Sequence, residues 1–336
     1  MHKVFIIAEA GVNHNGSIEL AKQLIDVAAE AGVDAVKFQT FRATELASVH
    51  AEKADYQKDL TDKRESQLDM LKRLELSEDD HVVLKAHAES RNIAFMSTPF
   101  DLASVSLLAN LGMEVFKIAS GEITNLPYLR RVAGVAKRIV LSSGLATMQE
   151  VQRAVAAIVE AGFSKENITV LHANTAYPTP PEDVNLLAMK SIGRTVGVAC
   201  GYSDHTLGIT VPIAAAALGA TVIEKHFTLD RKMEGPDHAA SLEPQELKDM
   251  VSAVRIVEAI LGDGVKQPSK SESVNRNAAR KSIVAKRPIA AGEMFSDENL
   301  AVKRPAGGID PMQWDNVIGL KAVRAFEIDE PIQLGA

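Results

Sequence analysis

A (β/α)8 barrel followed by a small β-rich module is the α/β fold this sequence predicts, and three observations carry it. Short β-prone apolar runs alternate with helix-like stretches from the start to about Gly262, eight such runs can be counted, and the polarity changes abruptly after Gly264. Parallel strands need crossover helices, and eight of them can close into a ring. An open doubly wound sheet is the alternative topology. It is disfavoured because GVNHNG, after the first run, lacks the third glycine and the spacing of a dinucleotide-binding fingerprint.

The expected strands are VFIIAEA from Val4, DAVKFQT from Asp34, AFMSTPF from Ala94, VFKIAS from Val115, RIVLSSG from Arg138, ITVLHANT from Ile168, TVGVACG from Thr195 and TVIEKHFT from Thr221. Side chains alternate faces along a strand, so Val222, Glu224 and His226 share one face while Ile223 and Phe227 take the other, and polar chemistry is expected to point one way. The pattern recurs in two further strands. Ala35, Lys37 and Gln39 oppose Val36 and Phe38, and Val115, Lys117 and Ala119 oppose Phe116 and Ile118. A buried lysine without a partner is costly, so two of them in apolar strands suggest a shared anion.

Between Phe41 and Glu78 runs a longer charged insertion at the C-terminal end of the second strand. Loops at that end surround a barrel's active site, so the segment reads as a lid or wall; a solvated amphipathic helix accounts for it equally well. Residues 1–263 form the expected barrel domain. The polar stretch 264–280, GVKQPSKSESVNRNAAR, reads as a linker. Residues 281–336 are turn-rich, with AAGE, PAGG and IDEP breaking β-prone pieces, and a module of about 55 residues needs something to pack on.

The chain has 336 residues, with 37 lysines and arginines against 44 acidic residues and a net charge of -7. No global basic field exists to attract nucleic acid or an anionic membrane. No apolar run approaches the roughly 20 residues of a spanning helix, and the apolar stretch at the N-terminus is too short for a signal peptide. Cys200 is the only cysteine, which excludes an intrachain disulfide. A soluble cytoplasmic protein is expected.

In a barrel, reactive groups sit at the C-terminal ends of the strands. The polar residues there are Glu9, Lys37, Gln39 and Thr98, then Lys117, Ser120, Glu122 and Ser142. Asn174, Thr175, Ser203, Asp204, His205, Glu224 and His226 complete the set. Lysines and hydroxyls suit a phosphate or carboxylate, and two histidines from adjacent strands can hold a divalent metal with open positions. Singly, a buried serine usually satisfies backbone and a strand-end histidine is more often structural. Their joint placement favours a site.

At these residues the chain resembles the sialic acid synthase family, also called nonulosonate synthases. The resemblance runs through IAEAGVNHNGS, VKFQTF, STPFD, FKIASGEITNLPYL, LSSGLAT, HANTAYPTP, GYSDHT, EKHFT and EGPDHAASLEP, and covers essentially the whole chain. The tail is similar to that family's antifreeze-like (SAF) domain through KSIVAKRPIAAGE and DENLAVKRPAGG. The resemblance implies a transferase that condenses phosphoenolpyruvate with an N-acylated mannosamine-type sugar and releases phosphate by C–O cleavage. It places Lys37, Thr98, Lys117, Ser120, Ser142, Thr175 and Ser203 around phosphoenolpyruvate. His205 and His226 fall on the ligands of a divalent metal, with Mn2+ expected and Mg2+ or Co2+ as alternatives. Glu9 and Glu122 become the catalytic carboxylates, and Tyr177 and Asp237 touch sugar. Arg304 matches an arginine of the tail that reaches the neighbouring subunit's barrel, implying a domain-swapped homodimer.

Two departures matter. Ala173 stands where many members carry cysteine, and either Asn174 or Thr175 can meet the phosphate. SGEITNLPYL and HTLGITVPIAAAALGA resemble the members that make N,N'-diacetyllegionaminate more than those that make N-acetylneuraminate. A 3-deoxy-octulosonate-type or heptulosonate-type synthase acting on a phosphorylated aldose is the rival enzyme. A non-catalytic sugar-binding or ice-binding protein is the rival from another class.

Overall fold

Eight parallel strands carry the first part of the chain: β1 (Phe5–Gly11), β2 (Ala35–Thr40), β3 (Ala94–Pro99), β4 (Val115–Ile118), β5 (Arg138–Ser142), β6 (Ile168–Ala173), β7 (Ala199–Asp204) and β8 (Val222–His226). In this computed structural model, which describes residues 3–53, 57–58, 61–62 and 64–335, they make one sheet in the order β3-β2-β1-β8-β7-β6-β5-β4. The two ends, β3 and β4, pack side by side and close the ring, which is the expected (β/α)8 barrel.

The crossover helices are set by local signals. Ser17 accepts a hydrogen bond from the backbone N–H of Leu20 to start the helix Ile18–Ala31, whose Ala21, Leu24, Ile25 and Ala28 recur at helical spacing on the buried face. Reciprocal capping by Ser77 with Asp80 and by Thr147 with Glu150 starts the helices Glu78–Ser90 and Met148–Glu160. The apolar layer between strands and helices falls into two parts, one around β1, β2 and β8 and one around β4, β5 and β6.

The inner face of the ring is layered, and this layering places the site. Ile7, Ala35, Met96, Val140, Leu171 and Val222 form a buried apolar floor. Two residues further along each of these strands the same face carries Glu9, Lys37, Thr98, Ser142, Ala173 and Glu224. On β7 the floor position is Gly201, where an added Cβ would lie 2.1 Å from the Val222 carbonyl oxygen and 2.8 Å from Leu171 Cδ2. The absent side chain lets Leu171 fill the centre and β7 approach β8 closely.

One strand departs from expectation. β7 begins at Ala199, four residues later than the run TVGVACG predicts, because Gly193–Gly197 is a wide helical turn ended by Gly197 at φ +72°. The strand instead continues through GYSD. The alternation in β8 also corrects the idea that polar chemistry points one way: Lys225, on the face opposite Glu224 and His226, is fully buried and pairs with Asp204.

The chain divides into two compact units, Met1–Asp263 and Gly264–Ala336. The second pairs β9 (Ser282–Ala285) with β10 (Leu300–Lys303) in antiparallel register and adds single bridges, including Ile289 with Phe326 and Met294 with Lys321. Ile283, Phe295, Leu300, Val317, Phe326 and Ile332 form its own small core. Residues 264–280 are exposed throughout and contain two short helical turns, Lys270–Ser273 and Arg276–Ala279. Among the described residues no helix is long and apolar enough to cross a membrane.

Candidate active site

The strand ends open into a cavity of about 520 Å³. Its base is a buried ion cluster. Lys37 Nζ lies 2.6 Å from Glu9 Oε2 and 3.5 Å from Glu224 Oε2, and Lys117 Nζ lies 3.1 Å from Glu224 Oε1. Lys37 also donates to Thr98 Oγ1 at 2.7 Å, and Ser203 Oγ donates to Glu224 Oε1 at 2.7 Å. The two lysines therefore do share an anion, and it belongs to the chain itself.

This arrangement separates the carboxylates. Burial raises the Glu9 carboxyl to about 7; Lys37 opposes the rise and the neighbouring Glu224 adds to it. Burial acts the same way on Glu224, but Lys117 and Lys37 outweigh it and hold that carboxylate well below its usual range. Lys37 is likewise opposed by burial yet held above its usual range by Glu224 and Glu9, whereas Lys117 is lowered, chiefly by burial. Ser142 Oγ is buried at the same level without a hydrogen-bond partner.

Above the cluster stand two imidazoles, with His205 and His226 ring centroids 5.4 Å apart. The Tyr177 ring lies against His205 at 4.1 Å. Burial lowers His205 to about 4 and His226 well below its usual value, so both are neutral and keep a lone pair. His205 Nδ1 bonds the Asn174 carbonyl, which leaves Nε2 free to ligate, while His226 Nδ1 is buried and unpartnered. Asp237 Oδ2 is 4.0 Å from His226 Nδ1, and burial raises Asp237 to about 6.

The insertion after β2 supplies the apolar wall. In the helix Gln67–Leu74, Met70, Leu71 and Leu74 line the cavity with Leu46 and Ala47, so the segment is both an amphipathic helix and a wall. Part of it, residues 54–56, 59–60 and 63, lies outside the described residues.

Among the residues that the sequence singles out, Glu9, Lys37, Thr98, Lys117, Ser120, Ser142, Thr175, Ser203, Tyr177, Asp237, His205 and His226 all line this cavity. Glu122 does not; it lies in the short turn Ser120–Glu122, and its carboxylate accepts a hydrogen bond from Asn125 Nδ2 at 2.6 Å. Thr175 rather than Asn174 faces the cavity, because the Asn174 amide is spent on the backbone of Ala176 and Asp183. Arg304 belongs to the second unit, is exposed, and donates to the Ala279 carbonyl. Glu224, to which the sequence assigns no role, proves to be the counter-ion of both lysines. Lys225 escapes the sequence reading, although a lysine two residues from Ile223 on an apolar face is an available signal.

A barrel mouth that sets cations and hydroxyls suited to a small anion beside two neutral imidazoles has the make-up of an enzyme active site. The chain belongs to the NeuB family, whose profile matches residues 24–266, and a SAF domain matches residues 280–335. It is 52% identical, over 99% of this chain and 100% of the relative, to N,N'-diacetyllegionaminic acid synthase of Campylobacter jejuni subsp. jejuni. To the protein of the same name from Legionella pneumophila subsp. pneumophila it is 46% identical, over 94% of this chain and 89% of the relative. The crystal structure of N-acetylneuraminic acid synthetase from Leptospira borgpetersenii superposes with a TM-score of 0.73 at 35% identity, covering 81% of this chain and 90% of that one.

Synthases of this family are metal-dependent. Among the described residues no group of three or more His, Cys, Asp or Glu is arranged as a ready metal cage. The pair His205 and His226 nonetheless fits two positions of an open site, being neutral, adjacent and aimed into the cavity.

Proposed function

We propose that this chain condenses phosphoenolpyruvate with 2,4-diacetamido-2,4,6-trideoxymannose to give N,N'-diacetyllegionaminate and inorganic phosphate. It is a nonulosonate synthase, a phosphoenolpyruvate-dependent transferase. The observation that carries the reading is the polar layer of Lys37, Thr98, Lys117, Ser142 and Ser203 directly beneath the His205–His226 pair.

Lys37 and Lys117 supply charge to the carboxylate and phosphate of phosphoenolpyruvate, and Thr98, Ser120, Ser142, Thr175 and Ser203 supply donors. His205 and His226 would hold a divalent ion, with Mn2+ the expected one, and such an ion would supply Lewis-acid polarisation of the open-chain sugar carbonyl. The enol carbon C3 bonds the sugar aldehyde carbon, and the cationic centre left at C2 takes up water before the C2–O bond to phosphate breaks. When that bond breaks, its electron pair leaves with phosphate, and the proton of the C2 hydroxyl passes to phosphate as the ketone forms. The water loses one proton and the new alkoxide gains one, a transfer a single near-neutral carboxyl can carry. Glu9, raised to about 7 and bonded to Lys37, suits that role. Tyr177 and Asp237 stand where the sugar would lie, and the apolar wall of Met70, Leu71 and Leu74 suits a 6-deoxy sugar. Glu122, the other carboxylate singled out, can join the proton chemistry only if its turn moves toward the cavity. The reading keeps the enzyme in the cytoplasm, where phosphoenolpyruvate is made.

The acceptor is tested by phosphate release with a panel of sugars. 2,4-Diacetamido-2,4,6-trideoxymannose is expected to give a higher kcat/KM than N-acetylmannosamine, since a site that hydrogen-bonds a group one sugar lacks discriminates strongly. Preference for N-acetylmannosamine would move the enzyme to the sialic acid branch, and preference for a phosphorylated aldose to the octulosonate type.

We propose further that the enzyme is a domain-swapped homodimer in which Arg304 binds the N-acyl group in the partner's barrel. Co-expression of a His226→Ala subunit with an Arg304→Ala subunit tests this. With random pairing about half the dimers are mixed, and each mixed dimer has one intact site, so roughly a quarter of all sites should recover. Near-zero recovery in a verified mixed dimer would place the arginine in its own chain.

A further inference from the structure

We infer that the buried Asp204–Lys225 pair, on the face of β7 and β8 turned away from the cavity, is the positioning element for the His205–His226 pair. The inference rests on the proposed function in one respect, that the two histidines hold a metal.

The register of β7 with β8 sets Asp204 opposite Lys225, so the residues that follow them, His205 and His226, emerge side by side on the inner face. Lys225 Nζ lies 2.6 Å from Asp204 Oδ2 and also donates to the Thr206 carbonyl. Asp204 Oδ1 accepts from the Thr206 backbone N–H at 3.0 Å, and its Oδ2 accepts from Thr206 Oγ1 at 3.1 Å. The residues on both sides of His205 are thus tied to the residue that precedes His226. All of these side chains are fully or nearly fully buried.

The two histidines differ in what else holds them. His205 has its Nδ1 bond to Asn174 and the Tyr177 ring against it, and its own carbonyl accepts from Thr179 N–H at 2.9 Å. His226 has no hydrogen bond at Nδ1; the Tyr177 ring stands edge-on with its centroid 5.7 Å away, Asp237 Oδ2 lies 4.0 Å away, and the His226 carbonyl accepts from Leu242 N–H at 2.9 Å. Its ring direction therefore follows the β8 backbone, on which Lys225 sits one residue earlier. Stability does not explain the pair. Its face of the sheet is otherwise apolar, with Tyr202, Ile223 and Phe227 in the core there. Apolar residues of similar volume commonly replace a buried ion pair at no loss, whereas the pair adds to the backbone ladder a directed side-chain tie between the two strand ends.

The experiment compares wild type, His226→Ala, Asp204→Asn and the double variant Asp204→Leu/Lys225→Met. Binding of Mn2+ alone is followed by calorimetry and by the Mn2+ paramagnetic resonance spectrum, beside thermal unfolding and steady-state kinetics. The double variant is expected to unfold close to wild type yet bind Mn2+ about 10–100-fold more weakly, with an altered spectrum, as for other residues that orient metal ligands. Its kcat should fall at saturating Mn2+ while KM for phosphoenolpyruvate stays within about twofold, since the lysines of the cavity are untouched. Wild-type Mn2+ affinity and spectrum in the folded double variant would overturn the inference. Should that variant not fold, Asp204→Asn, which keeps the shape and the acceptor for Thr206, takes its place in the same measurement, and wild-type Mn2+ binding by it would overturn the inference equally. If His226→Ala binds Mn2+ like wild type, the metal reading itself fails, and the two failures are told apart.

Discussion

Replacing His205 or His226 with alanine is expected to cut turnover by about a thousandfold or more while leaving the fold intact. Both imidazoles project into the cavity rather than into an apolar cluster, so their loss removes little packing. A bound divalent ion contributes several kcal/mol of charge stabilisation, and each 1.4 kcal/mol, roughly, is tenfold in rate. Phosphate-release kinetics with Mn2+ titration measure the loss. Full activity in chelator-treated wild type would contradict the assignment.

Lys37→Met carries the second largest effect, and it acts on two quantities. The ammonium bridges Glu9 and Glu224, so its removal leaves two buried carboxylates facing one another, a change expected to destabilise by about 3–5 kcal/mol. In the proposed reading the same charge faces phosphoenolpyruvate, so KM for that substrate should rise far more than KM for the sugar, by an amount equivalent to roughly 2–5 kcal/mol. Adding Glu9→Gln should restore much of the stability without restoring affinity for phosphoenolpyruvate. Equal changes in both KM values would contradict the assignment. Lys117→Met is expected to follow the same pattern through Glu224.

The barrel is legible in the sequence because its strands are short, apolar and regularly spaced, and because a period of two puts the chemistry of each strand on a nameable face. β7 resists for a local reason: Thr195 and Val196 of the β-prone run TVGV lie in a helical turn, while the strand proper carries Gly201, Ser203 and Asp204, residues that read as loop. Residue identity also points to an anion between Lys37 and Lys117. That this anion is Glu224, with Glu9 beside it, depends on the ring bringing β1, β2, β4 and β8 to one level, which no window along the chain contains. Asp204 and Lys225 are hidden in the same way, since their pairing exists only once β7 and β8 are in register. Glu122 looks equivalent to Glu9 by composition, and only the path of its turn separates them.

The four-membered cluster of Lys37, Lys117, Glu9 and Glu224 makes the cavity an ion exchanger rather than an electrostatic sink. Each lysine already has a counter-ion, so chloride gains little there and would give up its hydration for a field that is largely cancelled. A ligand with several oxygens and more than one negative charge can instead take over the lysines, while Glu9, close to neutrality, accepts a proton and withdraws its charge. Entry is then governed by valence and by the number of oxygens presented at once. Occupancy by such a ligand should respond weakly to added monovalent salt, because the charges that hold it lie beneath the surface and are poorly screened.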